Sequence, residues 1–137
     1  MSTRYLVDTN VLLRFLSGKP VHQAEAAKTL FVEAASGAAL LDVSPVIVAE
    51  AFYTLSSFYE VDRKESAEKL LTLLRRRGVK VRDGSRVFSA LERLQTINVG
   101  FADAFLAAAA AEDKVAVASF DRDLDKFKDI ERFEPKK

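Results

Sequence analysis

Apolar and polar positions along the chain alternate between the period of a strand and the period of a helix. Arg4 to Val7 is short, apolar and β-prone, and it halts at Asp8-Thr9-Asn10 before Val11, Leu12, Phe15 and Leu16 recur at helical spacing. The pattern predicts strand, polar turn, helix. After the break at Ser17-Gly18-Lys19-Pro20, residues 22–36 place Ala26, Leu30, Phe31 and Ala34 on one side of an amphipathic helix ending near Gly37. Leu40, Leu41 and Val43 predict a second, buried strand, and Ser44-Pro45 supplies an N-cap followed by proline at the first helical position. The helix beyond it contains Glu50 and carries Val48, Phe52, Leu55 and Tyr59 to about residue 60. A further helix spans 63–76 before Gly78, and Val79-Lys80-Val81 is a third strand. Residues 85–95 carry Val87, Phe88, Leu91 and Leu94 at helical spacing. Gly100 precedes a helix whose Ala107–Ala111 run suits close packing on a sheet. Val115–Ala118 is a fourth strand ending in Ser119-Phe120-Asp121, and Ile130–Phe133 adds a short fifth.

Parallel strands need crossover connections, and near-continuous apolar strands need covers on both faces. The expected fold is therefore α/β: a three-layer α/β/α sandwich around a central, mainly parallel sheet of four or five strands. Its 137 residues suit one domain over 1–137, with 134–137 a frayed tail and neither repeats nor a linker within it. The absence of cysteine excludes disulfides, thiolate zinc sites and cysteine nucleophiles, and it suits a reducing compartment, the cytoplasm. No apolar run approaches the roughly 18 residues that span a bilayer, so no membrane association is expected, and Met1-Ser2-Thr3-Arg4 reads as neither signal nor anchor.

Charge narrows the function classes. Lys and Arg (21) nearly cancel Asp and Glu (20), so the strong overall positive field of a passive nucleic-acid coat is missing and any RNA contact must be local. One histidine, His22 in a loop ahead of a helix, argues against RNA cleavage by paired imidazoles and leaves carboxylates as the chemistry. Arg75-Arg76-Arg77 reads as a solvated helix end favoured by the dipole, with phosphate contact the weaker reading. Arg14, a turn beyond Asn10, reads as an ordinary surface arginine ahead of a phosphate contact.

Ligands of a parallel sheet gather beyond the carboxyl ends of its strands, and Asp8 and Asp121 both follow apolar strands. Glu50 lies in the second turn of the helix after the second strand, and Asp103 in the first turn of the Ala-rich helix. Singly, Asp8 and Asp121 read as helix caps and Asp103 as a charge complementing a helix N-terminus. Glu50, beside Val46, Ile47 and Ala51, is expected on a partly buried face, where a carboxylate wants a cation. Gathered in one cleft the four would repel, by roughly 4 kcal/mol for a pair about 4 Å apart at an effective dielectric near 20. All-oxygen ligands select a hard ion, Mg²⁺ or Mn²⁺, and this is the chemistry of phosphodiester hydrolysis by a metal-activated water.

Four ordered segments then carry a resemblance: Asp8-Thr9-Asn10-Val11-Leu12-Leu13-Arg14, the mid-chain Glu50, Phe101-Ala102-Asp103-Ala104-Phe105-Leu106-Ala107-Ala108, and Ser119-Phe120-Asp121-Arg122-Asp123. Together they resemble the PIN-domain family, on its VapC-like toxin branch, over essentially the whole chain. The resemblance implies a Mg²⁺- or Mn²⁺-dependent endoribonuclease, the toxin of a toxin-antitoxin pair, in which Asp8, Glu50, Asp103 and Asp121 match the metal-binding acids and Asn10 and Ser119 the supporting polar positions. It further implies an RNA substrate, a cognate VapB-like antitoxin and a homodimer. Asp123 reads equally as a further acid of the site and as a turn or cap residue. Phe52, Tyr53, Phe58 and Tyr59 encircle more of their helix than one core face requires, which suggests a dimer or antitoxin surface, although burial between two helices explains them more simply. Two other functions compete: a haloacid-dehalogenase-type phosphohydrolase with Asp8 as nucleophile, and a non-enzymatic binding module whose acids are scattered caps. Against the former, Asn10 stands where that class carries a second Asp.

Overall fold

Three parallel strands organise the chain: β1 (Thr3–Leu6), β2 (Ala39–Val43) and β3 (Val79–Val81), hydrogen-bonded in that order with β2 central. The computed structural model describes residues 2–137; Met1, part of the expected 1–137 domain, lies outside the described residues. Helices α1 (Thr9–Ser17) and α2 (Val21–Ala35) carry the chain from β1 to β2, and α3 (Pro45–Tyr53) and α4 (Arg63–Leu74) from β2 to β3. Then come α5 (Gly84–Leu94), α6 (Phe101–Asp113), β4 (Val117–Ala118), a 3₁₀ turn (Arg122–Lys126) and β5 (Arg132–Phe133). β4 and β5 also pair in parallel, but as a two-stranded ladder separate from the first three. The α/β fold expected from the alternation of elements is the fold observed, with its strands divided between these two ladders.

Register separates the two faces of the main sheet. Leu6 lies across from Asp42 and Asp42 across from Lys80, so residues of one parity share a face. Leu41 and Val43 point into the core with Leu12, Phe31, Val48 and Leu70, all fully buried. The opposite face is charged. Asp42, only 3% exposed, accepts from Arg4 Nε and Nη2 at 3.1 and 2.5 Å and from Arg82 Nε and Nη2 at 3.1 and 3.3 Å. The hydrogen bonds from Arg4 first, then those from Arg82, hold its carboxyl below the ordinary carboxylate value, against the opposing effect of burial.

Several local features differ from expectation for identifiable reasons. α3 runs into a π-helical turn, Thr54–Phe58, in which the Tyr59 amide reaches back to the Thr54 carbonyl and Ser56 Oγ donates to the Phe52 carbonyl at 2.8 Å. The wider turn rotates the residues beyond it, so Val48, Phe52 and Leu55 are buried while Tyr59 is partly exposed. α6 packs mainly on α5 rather than on a sheet, its Ala104 and Ala107 fully buried. His22 sits in the first turn of α2, not in a loop, and is exposed. Residues 134–137 form no element, though Glu134 is tied to Arg132 at 2.9 Å. Gly78 turns the chain into β3 with φ +88°, where a Cβ would collide with the Ala34 carbonyl oxygen, so only glycine lets α2 and β3 approach this closely.

Stripping the buried carboxylate should be non-additive. Arg4→Gln and Arg82→Gln singly should each cost about 1 kcal/mol, because one guanidinium stays on Asp42, whereas the double variant should cost about 3 kcal/mol or more. Denaturant unfolding of the four proteins measures the cycle. Because the folded-state value of Asp42 is depressed, this stabilisation is complete above the unfolded value of 3.8 and is lost as pH falls below it.

Candidate metal centre

Downstream of β4, the segment Ser119–Asp123 folds on its own side chains. Ser119 Oγ accepts from the Asp121 amide at 2.9 Å, and Asp121 Oδ1 accepts from the Asp123 amide at 2.8 Å, which makes Asp121 the N-cap of the 3₁₀ turn. Gly100 starts α6 so that Asp103 falls in its first turn. These two pieces bring Asp103, Asp121 and Asp123 together, one carboxylate oxygen from each lying within 4.8 Å of the others. Asp103 is partly buried and the other two are exposed. Burial first, and then the charges of Asp121 and Asp123, push the Asp103 carboxyl above its ordinary value. Lys126 Nζ, 3.3 Å from Asp123 Oδ1, also donates to the Asn98 carbonyl at 3.1 Å and so braces this turn against the loop before α6.

The four acids expected to gather behave differently. Asp103 and Asp121 meet; Asp8 and Glu50 are not part of the group. Asp8 caps α1, its Oδ1 accepting from the Thr9 amide at 2.7 Å, and lines a cavity of about 340 Å³ with Asp42, Ser44 and Arg82. Glu50 is exposed, contrary to the partly buried face expected, because Val46 beside it on α3 is itself 73% exposed. Asn10, also exposed, lines a different cavity with Arg14 and Gln23, and Arg14 Nε donates to Gln23 Oε1 at 2.8 Å. The hydroxyl of Thr9, between Asp8 and Asn10, is buried with no hydrogen-bond partner among the described residues. Asp123, which the sequence leaves between two readings, enters the cluster; its signal is the alternate spacing of Asp121 and Asp123 on one turn. Asp42 has no role in the apolar pattern of its strand, and the sign that marks it is an arginine near each flanking strand, Arg4 and Arg82. The Arg75–Arg77 run is exposed, as expected, with Arg75 over Phe88 and 3.9 Å from Glu92 and Arg76 over Phe15.

Three carboxylates without sulfur or imidazole suit a hard divalent cation, and mutual repulsion with partial burial at Asp103 is what such an ion relieves. The sequence profile of the PIN domain family matches residues 5–130. The chain belongs to that family, whose members are generally nucleases. Among solved structures, it is similar to a chain in the crystal structure of VapBC2 from Rickettsia felis bound to a DNA fragment from their promoter, with 15% identity, 96% of this chain and 98% of that one covered, and a TM-score of 0.40. None of the curated proteins matches it. No helix is long and apolar enough to cross a membrane among the described residues.

Without metal, the charged Asp103 is disfavoured in the folded protein, so its penalty sets in as pH rises above the unfolded value of 3.8 and is complete above the elevated folded value. Asp103→Asn should therefore raise the metal-free Tm near neutral pH and lose that advantage toward the unfolded value of 3.8. Mg²⁺ at about 100 times its Kd should stabilise the parent chain by about 2.7 kcal/mol and the variant far less. Thermal melts across pH, with and without Mg²⁺, measure both effects.

Proposed function

We propose that this chain is a metal-dependent endoribonuclease, the VapC-like toxin of a toxin-antitoxin pair. The convergence of Asp103, Asp121 and Asp123 carries this reading, joined by the ordered match of Asp8, Glu50, Asp103 and Asp121 to the family's acids. When bound, Mg²⁺ or Mn²⁺ supplies an acidified water as nucleophile and stabilises the leaving oxygen of the phosphodiester. The chain's own residues hold the site: α6 presents Asp103 from its first turn, while Ser119 pins the backbone that orients Asp121 and Asp123. Asp8, at the end of β1, and Glu50, on α3, lie outside this three-carboxylate group and are proposed as further acids of the site on their match to the family's motifs alone. Asn10 and Ser119 support them.

The partners proposed are an RNA substrate, a VapB-like antitoxin and a second copy of the chain, in the cytoplasm. A row of apolar side chains on α3 and the turn after it supports covering by protein: Val46 and Tyr53 flank Glu50, and Phe58 is 79% exposed. The capping hydrogen bonds of Asp8 and Asp121 favour a second reading, in which the acids only terminate helices.

Asparagine caps a helix nearly as well as aspartate but is a poor ligand for a hard ion, so it separates the two. Asp103→Asn and Asp121→Asn should keep the parent Tm or exceed it and lower Mg²⁺-dependent RNA cleavage by about 100-fold or more. Asp8→Asn and Glu50→Gln should do the same. Cleavage assays of the purified proteins on a mixed RNA pool check this, with EDTA as the blank. Full cleavage by Asp103→Asn together with Asp121→Asn removes the proposed centre, and a parent Tm in both variants with no effect of Mg²⁺ or EDTA on any of the proteins supports the capping reading.

A further inference from the structure

The charged face of the main sheet holds more positive charge than its buried acid requires. One arginine neutralises one carboxylate, yet Asp42 is bound by Arg4 from β1 and by Arg82 just beyond β3. Register adds Lys80 to the same face, across from Asp42. The face is net positive in a chain whose overall charge is only +1, so it is a local place where a polyanion can settle.

Each guanidinium uses Nε and Nη2 on Asp42, and no other hydrogen bond engages either of them among the described residues. Three of the five N–H groups of each therefore remain for another acceptor. Both arginines are 54% exposed while their planes are held by the buried carboxylate, so the donors are both accessible and fixed in direction. Arg82 also lines the cavity of about 340 Å³ that contains Asp8 and Ser44, at the carboxyl edge of the strands where ligands of parallel sheets collect. The arginines at the end of α4 differ, since Arg75 and Arg76 lie over Phe88 and Phe15 and, among the described residues, no buried carboxylate holds their donors.

We propose that Arg4 and Arg82, both held by Asp42, form a clamp for a backbone phosphate of the RNA, with Arg82 on the side that shares a cavity with Asp8. Two adjacent guanidiniums with three free N–H groups each offer more donors than the two oxygens of an acidic side chain accept, which favours a phosphate. The identity of the polyanion rests on the ribonuclease reading; the clamp itself rests on the Asp42 geometry. Arg4 and Arg82 act here as positioning residues, and the contact is independent of base sequence.

The test measures binding of single-stranded oligoribonucleotides to the full chain carrying Asp121→Asn, by fluorescence anisotropy over a range of salt. Arg4→Gln and Arg82→Gln in that background should each weaken binding about tenfold, equally for unrelated sequences, and lower the slope of log K against log salt by about 0.7. Each leaves a guanidinium on Asp42, which keeps the sheet intact, and circular dichroism verifies it. Arg82→Lys should retain the slope and lose affinity, since it keeps the charge but not the fork. Arg77→Gln should change nothing. Unaltered affinity and slope in both glutamine variants overturns the proposal, as does inorganic phosphate competing as strongly as RNA, or loss confined to Arg77→Gln. If binding depends on the arginines but the parent chain, with Asp121 intact and Mg²⁺ or Mn²⁺ present, never cleaves RNA, the clamp stands and the nuclease reading falls. Metal-dependent cleavage with arginine-indifferent binding does the reverse.

Discussion

Parallel pairing of β1, β2 and β3 is the constraint that governs the architecture. Strands that run the same way end at the same edge, so the chain must leave β1 at Asp8, β2 at Ser44 and β3 at Arg82 on one rim, whatever lies between them. The crossovers that return the chain to the far edge are helical, and their apolar sides close over Leu41 and Val43. Asp8, Ser44 and Arg82 line one cavity on that rim because the strand ends and polar turns are there, not because any one motif places them.

Burial of Asp42 in the central strand is the electrostatic counterpart of that constraint. A charged group inside a sheet is tolerated only when paired and hydrogen-bonded, and the two flanking strands each bring an arginine to it. The same pairing fixes the guanidinium planes at the surface, so one interaction joins sheet cohesion to the orientation of donors. The acid cluster obeys the opposite rule. Asp103, Asp121 and Asp123 gain nothing from proximity to one another, and their closeness is sustained by the local backbone bonds of Ser119 and Asp121 and by Lys126. Asp42 is thus held below its ordinary protonation range, while Asp103 is pushed above it.

Periodicity alone was enough to order strands and helices, since the apolar repeat of α1, α4 and α5 and the breaks at Gly18, Gly37 and Gly78 are local properties of the chain. The α/β class and the ordered motifs of the family were readable there as well. That Asp103 and Asp121 could lie together was legible because each stands at a recognisable boundary, the first turn of an Ala-rich helix and the end of an apolar strand. Periodicity could not supply which side of an element meets which neighbour. The exposure of Glu50 comes from an α3 face left uncovered around Val46, and the π turn after Tyr53 depends on a single hydroxyl, Ser56, competing for backbone carbonyls. The division of the strands into two ladders depends on pairings between residues distant in sequence.

The amino-acid sequence by itself therefore determined the order and type of the elements, the absence of thiol chemistry and the set of carboxylates from which a hard-ion site can be drawn, because these depend on composition and on neighbours within a turn or two. Only the tertiary structure decided that Asp123 joins Asp103 and Asp121, that Asp8 and Arg82 line one cavity, and that Asp42 is held by two arginines. Those facts depend on strand register and helix docking, which are set by contacts between residues far apart along the chain, where no local pattern carries information.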